Sequence, residues 1–253
     1  MLHQLKRHPL PVRAHFQFSL VLAYAFHRDL LAPLLPPGLE LDTYEDFGFL
    51  AIAMVQTRAL RPVFLPHWLG QDFFLTGYRI FVKHHDAVIN RTQRGLRIIR
   101  SDTNHSIMAF FGNRLTHYNY RRANVRWVRT DASLEVEIHT PHGEADLHVH
   151  ADLTSRPAPL PAGSPFLDLT VARRFAGPLP FTFDYEPQTH SIIKIEGVRE
   201  NWNPMPIRVD VHKAVFFQHP PFNRIDRPQL ANAFFIEDVP YQWEKGVREP
   251  LSR

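Results

Sequence analysis

The sequence predicts one β-rich α+β domain over residues 1–253, and three observations carry that reading. Apolar residues fall in short runs, several of them alternating with polar ones, which is the period of strands. Eleven Gly and 22 Pro punctuate the runs, which suits strands and turns better than a helical bundle. The one Pro-rich connector, residues 156–165, is short enough to be a loop within a domain rather than a linker between two. With 44% hydrophobic residues and 20 Phe, the chain has the means to bury a sizeable core.

Residues 16–26 read as a buried strand rich in Phe, Leu, Val and Tyr. The run follows basic residues, and Ala23-Tyr24-Ala25 imitates a signal cleavage site. Gln17 and Ser19 interrupt it, however, and it is too short to span a bilayer. Arg28 to Leu35 reads as a short helix stopped by Pro36-Pro37-Gly38, which cannot continue it. Leu39–Thr43 and Phe49–Thr57 follow as a hairpin around residues 44–48. The second of these strands is apolar on both faces, so it is expected to be covered twice.

Residues 58–74 read as a long irregular connection, the kind that forms lids and binding loops. Leu75–Lys83 is a strand carrying Arg79 among apolar neighbours, and Leu96–Arg100 is another. Thr103 or Asn104 is placed to cap a helix running to Leu115, with Ile107, Met108, Phe110, Phe111 and Leu115 as its core face. Val125–Arg129 begins a meander, continued by a hairpin of Ser133–Thr140 and Ala145–Thr154. There Leu134, Val136 and Ile138 alternate with Glu135, Glu137 and His139, opposite Leu147, Val149, Ala151 and Leu153. Residues 166–175 read as helical, and strands return at 191–198, 207–217 and 233–239.

Charge and cysteine content narrow the chemistry. The net charge is +4, from 29 Lys+Arg against 25 Asp+Glu, and Lys6, Lys83, Lys194, Lys213 and Lys245 are the only lysines. Arginine therefore supplies most of the positive charge, in a planar fork suited to carboxylates and phosphates. There are no cysteines, so disulfides, thiolate metal sites and cysteine nucleophiles are excluded. That fits a reducing compartment, and a cytoplasmic location is the expectation. No phosphate-binding glycine loop or nucleophile elbow is present.

The densest functional stretch runs from Phe110 to Trp127, with four arginines, a histidine and a cluster of aromatics in a connection between packed elements. Its context carries a family resemblance. A strand, a short helix, Pro36-Pro37-Gly38, Leu39-Glu40-Leu41-Asp42 and a long apolar strand come first. Tyr78-Arg79-Ile80-Phe81-Val82 follows, then a helix running into Leu115-Thr116-His117-Tyr118. Over roughly residues 13–130, this order resembles the acetoacetate decarboxylase-like superfamily, and within it the uncharacterised YqjF-like branch. The resemblance implies an antiparallel closed barrel or cone with a central pocket and a few flanking helices. It also implies a Schiff-base lysine at the position held by Tyr120, and a second lysine at the position held by Arg121. In acetoacetate decarboxylase that second, cationic neighbour lowers the pKa of the imine-forming lysine. A phenol cannot form an imine, so the family's decarboxylation is not expected. The family's pocket arginine falls near Gln17, with Arg13 as a stand-in, and Asp72 is the acid nearest its glutamate. Lys194 is a further candidate for a relocated amine.

The expected function is binding, with turnover left open, of a small carboxylate-type anion in the central pocket. Arg79, Arg114, His117, Tyr118, Tyr120 and Arg121 are the candidate ligand-binding residues. A solvated arginine face or aromatic packing explains the same residues without a ligand. The alternative function is nucleic-acid binding through the arginines and aromatics of residues 118–129. The Asp146, His148, His150, Asp152 face, with His139 across the hairpin, has metal-ligand spacing. A polar outer face of an amphipathic hairpin accounts for it equally, and neither a metal nor a cofactor is expected. Catalytic residues and oligomeric state are left open.

Overall fold

The structure, a computed structural model, describes residues 2–175, 177, 179–225 and 228–251. Long strands dominate. β1 (Val12–His27), β3 (Phe47–Pro62) and β4 (Gln71–Asp86) run antiparallel side by side, with β2 (Glu40–Leu41) appended to β4. β5 (Arg91–Thr103) pairs with β4 and carries β6 (Tyr120–Arg122) beside it in parallel. A second sheet consists of β7 (Asn124–Arg129), β8 (Ser133–His139), β9 (Leu147–Asp152) and β13 (Arg208–Ala214). The first sheet continues through β10 (Phe181–Glu186) and β11 (Ser191–Arg199), with β12 (Met205–Pro206), β14 (Gln229–Trp243) and β15 (Val247–Pro250).

The large sheet closes on itself. β14 pairs with β1 along most of its length and with β11 through Gly197↔Trp243 and Arg199↔Tyr241, so the order β14-β1-β3-β4-β5-β10-β11 returns to its start. This is the expected closed barrel, with one parallel junction where Phe181 of β10 meets Gly95 of β5. Closure removes the free edges that an open sheet of this size would expose.

The two-sided apolar strand has a direct explanation. In β3, Leu50, Ile52 and Met54 pack into the main core with Phe18, Leu20 and Leu22 of β1 and the apolar face of the second sheet. The alternate residues Ala51, Ala53 and Val55 face the barrel interior. The hairpin alternation of the second sheet holds as expected: Leu134, Val136, Ile138 and Val149 are fully buried against the barrel wall.

Several local expectations are corrected. β2 pairs with β4 through Leu41↔Val82 and not with β3, so residues 39–57 do not form a simple hairpin. The irregular stretch at 58–74 is shorter than expected, because β3 extends to Pro62 and β4 begins at Gln71. The first helix is a single turn, α2 (Arg28–Leu31), continued by a 3-10 turn; α1 (Leu2–Leu5) precedes it and was not foreseen. α3 spans Ser106–Leu115 without a side-chain cap. Asn104 instead accepts a hydrogen bond from the Phe74 amide at 2.9 Å, tying the helix entrance to β4. Its expected core face is also revised: Ile107, Phe110 and Phe111 are exposed, while Ala109 and Gly112 are buried. In the 166–175 stretch only α4 (Leu169–Arg173) is helical, capped by Asp168 through the Val171 amide.

Candidate functional site

The interior of the barrel is a cavity of about 560 Å³. Its walls come from the inward faces of β1, β3, β4, β5 and β14. α3 and the 63–70 loop flank the mouth. Small side chains at Val21, Ala51, Ala53 and Val55 leave the space that larger residues would fill. No Asp, Glu or Lys is among the described residues that line it.

Arg79 is the charge inside. It stands on β4 beside a register shift between Tyr78 and Arg79 relative to β5, opposite Ala51 on β3. Such irregularities redirect side chains near functional sites. The side chain lies back over Gly77, where a Cβ would sit 2.9 Å from Nε and 3.2 Å from Nη2. Its Nε is buried without a hydrogen-bond partner, and among the described residues no ion pair reaches it. Burial pulls its pKa below the ordinary arginine value, against the opposing influence of the Tyr241, Tyr120 and Tyr118 phenols. Arginine nonetheless keeps its proton in proteins. An uncompensated charge in such a place is costly unless something anionic meets it.

Three tyrosines surround that charge. Tyr120 follows α3 and enters β6 with its ring over Gly112, where a Cβ would lie 2.4 Å from the ring carbons. Asn113 fixes its backbone from both sides, accepting from the Tyr120 amide and donating to its carbonyl, each at 2.8 Å. Burial raises the Tyr120 phenol pKa, with Arg79 opposing the rise. Burial likewise pushes the Tyr118 phenol well above its usual range, with the neighbouring Thr182 side chain opposing the rise. Tyr241, on β14, stacks on Phe16 at 4.8 Å between ring centroids, and burial raises its phenol too. All three are hydroxyl donors at neutral pH.

The other cationic groups along the cavity are occupied or neutral. Arg61, near the mouth, donates to the Leu65 and Ala59 carbonyls at 3.2 and 2.8 Å. His8 is held neutral, its pKa lowered to about 4 by burial.

Of the six residues singled out from the sequence, Arg79, Tyr118 and Tyr120 line the cavity, and Arg114, His117 and Arg121 do not. Arg114 lies over the Phe110 ring at 4.3 Å. Arg121 pairs with Glu144 at 3.4 Å on the outside. His117 is half-buried next to the lining, and burial followed by the nearby Lys6 and Arg97 charges lowers its pKa to about 4. The sequence reading missed Tyr241, Gly77 and Asn113. A glycine two residues before a lone arginine in an apolar strand is a usable sign of close approach, whereas nothing local marks Tyr241.

The suggested stand-ins for family residues lie elsewhere. Arg13 donates to the Val63 carbonyl at 3.0 Å, and Asp72 pairs with Arg58 at 2.6 Å. Lys194 is held by Asp86 and Glu249 at 2.6 and 2.5 Å. On the outer face of the second sheet, Asp146 turns to Thr140 and Lys213, and Asp152 to Thr154. His148 instead meets Glu135 at 2.9 Å and Glu137 at 3.9 Å, and the ligand atoms of these three lie within 4.8 Å of one another. The arginines of residues 121–129 do not form a free basic strip. Arg122 donates to the Asn104 carbonyl at 2.7 Å, Arg126 approaches Glu137 at 3.9 Å, and Arg129 pairs with Glu237. No helix among the described residues is long and apolar enough to cross a membrane.

The closed, strand-rich barrel with few helices is the acetoacetate decarboxylase-like fold. The chain belongs to the DUF2071 family, described as an uncharacterized conserved protein, whose model matches residues 13–236. The YqjF-like resemblance is consistent with that family. No curated protein matches the chain. Among solved structures, it is similar to an acetoacetate decarboxylase from Legionella pneumophila subsp. pneumophila str. Philadelphia 1, with a TM-score of 0.64 and 13% identity over 95% of this chain and 87% of that one. It is also similar to the enduracididine biosynthesis enzyme MppR complexed with pyruvate, with a TM-score of 0.61 and 9% identity over 95% and 90% of the two chains. An acetoacetate decarboxylase-like enzyme from Sphingomonas wittichii RW1 gives a TM-score of 0.60 and 12% identity over 98% and 96%. At these identities the likeness is one of fold.

Proposed function

We propose that this protein binds a small organic anion of the carboxylate type inside its barrel, with Arg79 as the anchoring charge. The observation that carries the reading is an interior guanidinium with no ion-pair partner among the described residues, in a cavity whose described lining holds no acid. A carboxylate would meet the guanidinium fork in a bidentate, charge-assisted pair. The Tyr118, Tyr120 and Tyr241 hydroxyls are available as further donors. The MppR structure complexed with pyruvate gives the fold a precedent for holding a carboxylate.

The reading is of binding without imine chemistry. Tyr120 occupies the position the family resemblance assigns to the Schiff-base lysine, and no described lining residue is a lysine. Thermal-shift and calorimetric titration with carboxylates test the proposal against Arg79→Gln. A saturable response that Arg79→Gln abolishes supports it. Equal responses in both proteins, or none from any carboxylate, would overturn it.

A further inference from the structure

We infer that the ligand is a lipophilic monocarboxylate, one carboxylate on an extended apolar body of the fatty-acid kind, and not a keto acid the size of pyruvate. This deepens the proposed anion-binding function and rests on it. Four observations converge on that ligand class.

Size comes first. The cavity of about 560 Å³ is roughly twentyfold the ~30 Å³ share of one water in the liquid. A three-carbon acid would leave most of it to water or void, and apolar walls favour neither. Second, the lining is mostly apolar. Beyond Arg79 and its phenols, side chains such as Ala53, Val55, Phe73 and Leu96 dominate it, interrupted by neutral polar groups such as Ser19, Thr57, Ser101 and Thr182. A second carboxylate or an amine on the ligand would find no opposite charge there, because Arg61 is committed to carbonyls and the described lining has no acid.

Third, the cavity extends well beyond the charge along β4. Gln71 starts β4 beside the 63–70 loop, and Gly77, over which the guanidinium folds, lies further along the strand. That separation amounts to roughly 20 Å of strand. A ligand anchored at Arg79 and filling the cavity towards Gln71 is therefore long. Fourth, the rim is largely apolar, with Arg61 and Gln71 as its polar members. Leu69, Ile107 and Phe111 carry the lining to the rim, and Phe64 and Trp68 next to them are 70% and 78% exposed. Exposed apolar clusters of this kind mark ligand grooves. The carboxylate sits on Arg79 and the tail runs along β4 towards Gln71 and Leu69.

The test is a calorimetric titration with sodium alkanoates from butanoate to tetradecanoate below their micellar concentrations, beside pyruvate and acetoacetate. Tryptophan fluorescence, to which Trp202 and Trp243 of the cavity wall contribute, gives a second readout. Affinity is expected to rise roughly three- to fourfold per added methylene, as burial of a CH₂ predicts, until the chain reaches the mouth. The methyl ester of the best acid binds at least about tenfold more weakly, and Arg79→Met erases that difference. Val55→Phe, which fills space on the Gln71 side of the guanidinium, lowers decanoate affinity more than butanoate affinity. Pyruvate or acetoacetate binding tighter than decanoate in an Arg79-dependent way overturns the lipophilic ligand and leaves the anion site standing. Chain-length dependence with no loss in Arg79→Met or in the ester overturns the anchoring role, and with it both readings. No binding of either class, in a wild-type protein that unfolds cooperatively, also overturns both.

Discussion

Gly77 and Arg79 share one volume: the guanidinium occupies the space in which any side chain at 77 would begin, with Nε 2.9 Å from the Cβ position. Because the intruding atom is the far end of a flexible chain, Gly77→Ala displaces the guanidinium without disturbing the backbone. Stability is expected to change by less than about 1 kcal/mol, while affinity for a carboxylate falls roughly tenfold as the bidentate geometry is lost. Urea denaturation and calorimetry on the same protein separate the two effects. An unchanged affinity would mean that the guanidinium's placement does not matter.

The Gly112–Tyr120 contact behaves differently, because a phenol ring cannot retract. A Cβ at 112 would sit 2.4 Å from two ring carbons, and Asn113 holds the Tyr120 backbone in place. Gly112→Ala is expected to cost about 2 kcal/mol or more through overpacking, although alanine favours a helix over glycine. Pairing it with Tyr120→Ala, which empties the space, should make the two effects strongly non-additive. Strict additivity in urea midpoints would show that the ring does not fill that volume.

Buried histidines set the acid limb of stability. Burial holds His8 at about 4, and burial with the Lys6 and Arg97 charges holds His117 at about 4, both below the ordinary 6.5. In that window the unfolded chain binds more protons than the native state, so stability is retained above pH 6.5 and falls as pH drops towards 4. For His8 the loss at full protonation is on the order of 3 kcal/mol. Asp184 acts with the opposite sign. Burial raises its carboxyl to about 6 although Arg97 pairs with it at 2.6 Å, so its ionisation penalty is relieved as pH falls below 6. His8→Gln should flatten the decline between pH 6.5 and 4, and Asp184→Asn should steepen it. Urea midpoints measured across that range check both slopes.

What was legible in the sequence depended on whether the signal was local. The alternation of Leu134, Val136 and Ile138 is a property of one strand, and it identified the face that is buried. The two-sided apolarity of residues 49–55 was equally plain, but its cause was not: one face packs a core and the other borders an open cavity. Hydrophobicity alone does not separate these. The same ambiguity misplaced Ile107, Phe110 and Phe111, which read as a core face and stand exposed, two of them along the cavity mouth. Arg79 could be found because a charge in an apolar strand demands an account. Tyr241 could not, since its place beside Gly197 depends on the closure of β14 onto β11, a contact between distant parts of the chain. Arg114 and Arg121 carry the right chemistry, but they follow an exposed helix face and an outward strand position.

Tyr120 offers a direct way to ask how much of the superfamily's chemistry the cavity would still support. Its ring lies within the electrostatic reach of Arg79, in surroundings dry enough to raise its own pKa. Tyr120→Lys would place an amine where desolvation and a neighbouring positive charge both favour the neutral form, the condition an imine-forming lysine requires. Acetoacetate followed by borohydride is expected to label that variant covalently at position 120 and to leave the wild-type protein unlabelled, as mass spectrometry of the digested chain would read. Adding Arg79→Met should raise the amine's pKa and remove the carboxylate anchor, so labelling falls at neutral pH and is recovered only in part as the pH is raised. Covalent capture on a lysine of the wild-type chain would contradict the non-imine reading, because Lys194 is tied to Asp86 and Glu249. Failure of Tyr120→Lys to label at any pH, with its fold intact, would place residue 120 out of reach of a carbonyl bound at Arg79.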